Sequence, residues 1–447
     1  MSHPQDLGLR AQARAVADGS LDAGELLDAT LERLAERDGE LNSTPVVFAE
    51  EARAMLAAAP DGPLRGVPLT LKDMFTTPWR GAHSGTSREL LPPGASGVFE
   101  RLREAGAVIA GVAQQHELGM GTTGRASVWG PARNPHDLER CAGGSSGGSG
   151  SAVAAHLIAG SIGSDSGGSS RIPAAYCGVV GLKTTWGSVP RAGYTGGVST
   201  FSAAGAFGRD AADTRLLAEV LTARELPAGD GAGLRCGVVR EPFWDDLDPE
   251  VEARCREAVE AAGWEVVELE LDRVELAGAA AASRLAPELL AGLDLSILPE
   301  LDPATRALTQ FALLTPAVRM VRADRVRAHL RREIARAFER ADVLAWPTSP
   351  APPPRVDAPV VELPSGTALA DPPNLRQATL ANLTGVPGIS VPVGEAGGLP
   401  AGLQLLAPWG EEARLLDAAE HLDATLGSDP NVASPPAPGA QSSTHPG

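Results

Sequence analysis

Apolar residues recur at helical spacing over residues 7–18 and again over 22–37, which predicts two amphipathic helices at the start of the chain. Asp22 and Glu25 stand at the spacing of a capping box for the second. The pattern then changes. "LRGVPLTLKDMF" carries a short unbroken apolar run, Val67 to Leu71, that ends in polar residues, as a buried strand entering a turn does. "GVFERLREAGAVIAGVA" reads as a helix followed by a second such strand, Ala107 to Val112. "SAVAAHLIAGSIGSDSGGSS" repeats the scheme: a helix of small residues, a brief strand near 160–164, then a Gly/Ser turn. "GVVGLKTT" gives another apolar strand. From about 211 to 345 the pattern is mostly helical, interrupted by a strand pair at "RCGVVR" and "WEVVELEL". "ADVLAWPTSPAPPP" ends a strand in a proline-rich loop. "GVPGISVPVG" and "LPAGLQLLAP" predict a last strand pair, and 411–426 a closing helix. Helices alternating with short buried strands predict an α/β sheet covered on both faces.

Composition narrows the classes. The chain has 447 residues, 43% of them hydrophobic, enough for a large core. Gly (51) and Pro (37) are abundant, yet short of the level that signals general disorder. The start, "MSHPQDLGLRAQARAVADG", has no basic segment followed by an apolar one, so no secretory leader is expected. No apolar span of membrane length occurs either, so no membrane association is expected. Cys141, Cys177, Cys236 and Cys255 lie scattered without metal-ligand spacing. They fit reduced core thiols of a cytoplasmic protein, with no metal and no cofactor. The net charge of −18 repels phosphate backbones, so direct binding of nucleic acid is not expected. Among 38 basic residues, lysine occurs only as Lys72 and Lys183. A guanidinium cannot give up its proton, whereas a buried amine can be pushed toward neutrality. The two lysines are therefore candidates for proton chemistry.

Two Gly/Ser runs, "CAGGSSGGSGSAV" and "GSDSGGSSRIP", sit inside compact helix–strand units, where a flexible tether has no place. Three chemistries use such turns. A phosphate cradle needs a lysine after the glycines, and none follows either run. "GGSSG" matches a nucleophile elbow with Ser145 as nucleophile. That motif must follow a buried strand, however, and "NPHDLERCA" is polar. A triad histidine would have to be His156, His329 or His421, which lie in helical patterns with no supporting motif. The third is a serine activated by lysine, with glycine-rich backbone N–H groups aimed at a developing oxyanion.

"GVPLTLKDMF", "GGSSGGSGSAVAA" and "GSDSGGSSRIPAAYCGVVGLKTT" resemble the three core motifs of the amidase signature family. "HELGMGTTG", "GPARNPHDLER", "DVLAWPTSPAP" and "NLTGVPGISVPVGEAGGLPAGLQLLAP" follow in the family's order, so the resemblance covers roughly residues 5 to 426. It implies a large central mixed β-sheet with helices on both faces. It also implies one domain over 1–428, with a helical, substrate-shaping insertion at about 211–345, and a Pro/Ser/Gly-rich tail over 429–447 expected to be disordered.

The resemblance implies a Ser-cisSer-Lys triad as well: Ser169 the nucleophile, Ser145 the bridging serine after a cis peptide at Gly144, and Lys72 the base. Backbone N–H groups of Ser166, Gly167, Gly168 and Ser169 would form the oxyanion hole. Asp165 and Arg171 would pin the turn, with a substrate-carboxylate contact the lesser alternative for Arg171. Lys183 would be structural. The remaining candidates take ordinary readings: Ser146, Ser149 and Ser170 as turn residues, Cys141 and Cys177 as packed thiols, His83 and His116 as loop or core residues. Thr184, Ser202 and Met74 depart from the family pattern.

The implied function is hydrolysis of a small-molecule carboxylic amide, with esters as further substrates, through an acyl-enzyme. The alternatives are the glutaminase component (the A subunit) of a tRNA-dependent amidotransferase and an α/β-hydrolase-type esterase. A homodimer is compatible with the reading.

Overall fold

The computed structural model describes residues 3–195 and 199–427; the tail expected to be disordered lies outside them. The first two helices run Leu9–Ala17 and Ala23–Leu41. Only half of the expected capping box forms. Asp22 accepts the Gly24 and Glu25 N–H groups at 2.8 and 3.0 Å, but no bond returns from the Glu25 side chain among the described residues.

Eleven strands form one mixed sheet. In spatial order they are Val46–Val47, Val108–Ala113, Pro68–Lys72, Gly160–Asp165, Ala203–Gly208, Val180–Lys183, Gly388–Ala396, Leu399–Leu406, Val343–Pro347, Arg235–Val239 and Glu265–Leu269. Pro68–Lys72 runs parallel to both its neighbours, Val108–Ala113 and Gly160–Asp165. The middle of the sheet is antiparallel. The strand pair predicted within 211–345 is parallel, and it continues the sheet beyond Val343–Pro347.

Apolar side chains on the sheet and its covering helices make the main core, with Leu69, Ile109, Ile162, Leu182, Trp346 and Leu405 all fully buried. Each such side chain contributes about 1.5–3 kcal/mol by leaving water. Phe243 stacks on Trp346 with ring centroids 4.2 Å apart. A second core, with Leu157, Ile158, Val179 and Phe207, lies under the two Gly/Ser segments.

Those segments become short buried helices, Gly147–Ala154 and Arg171–Cys177. Small residues are required there. A Cβ on Gly148 would stand 2.3 Å from the Ser43 carbonyl oxygen. All four cysteines are free and buried, and burial pushes the thiols up, Cys141 and Cys236 to about 12, which leaves them inert. Among the described residues no helix is long and apolar enough to cross a membrane.

Candidate active site

The predicted strand Val67 to Leu71 is observed as Pro68–Lys72, so Lys72 is its last residue, at the carboxyl end where open α/β sheets bind ligands. The parallel pairing of Thr70 with Ser161 sets Ser164 beside it. Lys72 is fully buried, and its Nζ lies within hydrogen-bond distance of three hydroxyls: Ser145 Oγ at 2.7 Å, Ser146 Oγ at 2.9 Å and Ser164 Oγ at 3.0 Å. Ser145 follows a cis peptide bond to Gly144. Ser146 Oγ donates to the Ser164 carbonyl at 3.2 Å and accepts the Ser164 N–H at 3.3 Å. This knot is tight: a Cβ on Gly163 would lie 2.8 Å from Ser146 Oγ.

Ser169 sits in the turn between the Gly160–Asp165 strand and the Arg171–Cys177 helix, 7% exposed. Its carbonyl accepts the Ser146 N–H at 3.3 Å, which ties the two Gly/Ser turns together. No hydrogen bond joins Ser145 Oγ to Ser169 Oγ among the described residues, so that link of the expected triad is open here. Catalytic hydrogen bonds are commonly long before substrate binds.

The expected oxyanion hole is corrected in one member. The Gly168 N–H donates to Asp165 Oδ1 at 2.7 Å, because this residue takes φ +106° and turns its amide inward. Ser166, Gly167 and Ser169 keep N–H groups without a protein acceptor among the described residues.

Asp165 and Arg171 are both fully buried and paired through two bonds of 3.0 Å. Burial would raise the Asp165 carboxyl, but the Arg171 guanidinium outweighs it and holds the group well below the usual carboxylate range. Arg171 also donates to Gln404 Oε1 at 2.7 Å and Asn382 Oδ1 at 2.9 Å. Buried and committed in this way, Arg171 pins the turn and has no exposed face for a substrate carboxylate. Replacing Asp165 by asparagine leaves a buried guanidinium unpaired and is expected to cost about 3–5 kcal/mol, read by denaturant unfolding. A loss below about 1 kcal/mol would show that the pair is not structural.

Burial alone does not separate the two lysines. It pushes both amines down to about 7, each held up in part by Asp165. Their partners separate them. Lys183 Nζ donates to the carbonyls of Thr184 and Val386 at 2.9 and 2.8 Å, and it makes no hydrogen bond to a hydroxyl among the described residues. Ser146 and Ser164 hold the Lys72 amine, although the sequence pattern gives Ser146 only a turn role and does not single out Ser164. Strand register, which one sequence does not reveal, is what brings Ser164 there.

His116 donates its backbone N–H to the Ser145 carbonyl at 3.0 Å, while burial pushes its imidazole down to about 4. Of the departures, Met74 is buried, Thr184 donates to the Ala204 carbonyl, and the buried Ser202 hydroxyl has no partner among the described residues. No hydrogen bond among the described residues joins any of the three to Lys72, Ser145 or Ser169. The elbow reading is overturned. The strand before Ser145, Asp137–Cys141, belongs to a separate two-stranded sheet with Arg133–Asn134, and no histidine side chain bonds Ser145 among the described residues.

The family model described as Amidase matches residues 25–416. The A subunit of glutamyl-tRNA(Gln) amidotransferase from Chromohalobacter salexigens is 36% identical over 471 residues, covering 93% of this chain and 95% of that protein. Its counterpart from Halorhodospira halophila is 37% identical over 461 residues, covering 89% and 93%. A solved structure described as an amidase superposes with a TM-score of 0.88 at 31% identity, covering 94% of this chain and 99% of that one. A 6-aminohexanoate cyclic dimer hydrolase complexed with substrate gives 0.83 at 28% identity, covering 97% and 99%.

Proposed function

We propose a function from one premise: the chain belongs to the amidase signature family. It hydrolyses a carboxamide through an acyl-enzyme on Ser169. The curated relatives are amidotransferase A subunits matched nearly end to end, which favours glutamine as the amide and a complex with partner proteins as the working form. The sequence-based preference for a free amidase thus becomes the second reading, kept because a solved amidase superposes over nearly the whole chain.

The observation that carries the proposal is the 2.7 Å contact between a buried, readily neutral amine and Ser145 Oγ. A neutral amine has two N–H donors and one lone pair. Ser146 already donates to a carbonyl, so it accepts from Lys72; Ser164 Oγ accepts the second proton. The lone pair is left for the Ser145 O–H. Ser145, its own proton drawn toward Lys72, takes the Ser169 proton as Ser169 Oγ attacks the amide carbon. The oxyanion forms against the Ser166, Gly167 and Ser169 amides. The proton returns through Ser145 to the leaving ammonia, and water, deprotonated by the same chain, releases the acid.

The base must be neutral, and its folded pKa is lowered to about 7. Activity is therefore expected to rise as pH increases through about 7 and to level off above it. A kcat/KM profile that falls over that range would reject Lys72 as base. Glutaminase assays of the purified chain, alone and with partner proteins, test the substrate reading. Activity that appears only with partners supports the amidotransferase, and hydrolysis of simple amides alone supports the free enzyme.

A further inference from the structure

The helices Pro303–Leu313 and Ala317–Arg340 are joined by a short turn, and the outer side of that junction is apolar. Leu308 and Phe311 share one side at the end of the first helix, Val318 and Val321 share one side at the start of the second, and Leu314 lies between them. All five are exposed, Phe311 by 67% and Leu314 by 78%. Single exposed leucines are ordinary, but an apolar cluster with a polar rim marks an interaction surface. The rim here has one sign. Arg319, Arg322 and Arg325 are exposed and carry no ion pair among the described residues. Residues 303–323 contain no carboxylate side chain, and Asp324 is paired with Arg284 at 3.3 Å. In a chain of net charge −18 this is a local excess of positive charge beside unburied apolar side chains.

The inner side of the same hairpin, with the segment leading into it, packs on the loop over the catalytic serines. Thr309 Oγ1 lies 3.8 Å from Met120 Sδ, the Asp302 N–H donates to Glu117 Oε2 at 2.9 Å, and buried Leu118 packs with Ile297 and Leu301. That loop reaches the chemistry directly. The His116 N–H holds the Ser145 carbonyl at 3.0 Å, and a Cβ on Gly119 would lie 3.5 Å from Ser145 Oγ. Leu118 itself takes φ +53°, a left-handed backbone that a leucine keeps only where its surroundings hold it.

We infer that the apolar junction docks a partner protein through a helix face of apolar residues edged with carboxylates, and that this docking sets the loop over Ser145. A second copy of this chain would bring arginine rim against arginine rim across a two-fold axis. The tail 428–447 has one acidic side chain, Asp429, and no leucine, isoleucine, phenylalanine or tryptophan. The overall charge repels an anionic membrane or an RNA, whereas a partner's carboxylates within a Debye length, about 8 Å, respond chiefly to the three arginines. The effect on rate rests on Ser145 and Ser169 acting together; the docking does not depend on which amide is cleaved.

The probe is a synthetic amphipathic helix with leucines along one face and glutamates on both sides of them, followed by fluorescence anisotropy against the full chain. Micromolar binding is expected, weakened about tenfold or more by Phe311→Glu or Leu314→Glu. Both side chains are exposed, so neither change disturbs the core. The same peptide with lysines for glutamates is expected to bind about tenfold less tightly, and Arg319→Glu combined with Arg322→Glu to reverse that preference. Saturating peptide is expected to raise kcat on the best amide by about fivefold or more. No binding, or binding without the charge preference, would overturn the proposal. So would self-association, transfer-RNA binding or binding to phosphatidylglycerol vesicles that is lost in Leu314→Glu, since each names another occupant. Binding that leaves kcat unchanged would overturn the link to Ser145. If the purified chain hydrolyses simple amides alone and still binds the peptide, the glutaminase reading falls and the docking surface stands.

Discussion

Ser169→Ala is expected to lower kcat by about 10⁴-fold or more, since loss of a serine nucleophile leaves only binding and oxyanion stabilisation. The fold should be indifferent to the change. The Ser169 hydroxyl makes no hydrogen bond among the described residues, so its removal strands no buried partner. Initial rates on the best amide, with thermal unfolding measured alongside, give both halves of the result. A fluorophosphonate should in parallel add one mass equivalent to the wild type, mapped by peptide analysis to Ser169. A variant retaining a tenth of wild-type kcat, or an adduct on Ser145, would reassign the nucleophile.

Lys72→Met carries the second large effect. Methionine nearly matches the buried volume but has no lone pair for the Ser145 proton, and a positioned base contributes about 10²–10⁴-fold. Loss of kcat in that range is expected, together with disappearance of the rise near pH 7. Lys72→Arg should be no better catalytically and worse for folding. Its guanidinium stays protonated and would be buried among three hydroxyls built for a small amine. Lys183→Met provides the contrast. It should affect stability, by freeing two buried carbonyls, and leave the pH profile in place. If Lys72→Met kept the profile and Lys183→Met lost it, the roles of the two lysines would be exchanged.

Much of this protein was determined along the chain itself. Apolar runs located the strands at 68–72, 108–113 and 180–183 to within a residue or two, because a strand buried on both faces is mostly apolar on both. The strand Gly160–Asp165 carries one large apolar residue, Ile162, and was marked instead by its place between a helix of small residues and a Gly/Ser turn. The scarcity of lysine drew attention to Lys72 and Lys183, and the glycine-rich motifs marked the turns around Ser145 and Ser169. Contacts between distant segments were decided only by the tertiary structure. Both lysines are equally buried and equally neutralised, so the choice between them depends on which acceptors surround each amine, and parallel strand register sets that. The same register delivers Ser164 to Lys72. The φ of Gly168 sends its amide to Asp165, and the packing of the 371–384 helix aligns Leu375 with the nucleophile turn. A linear pattern encodes which faces seek burial; it does not encode which polar atoms come to face one another, because that follows from how separate elements pack.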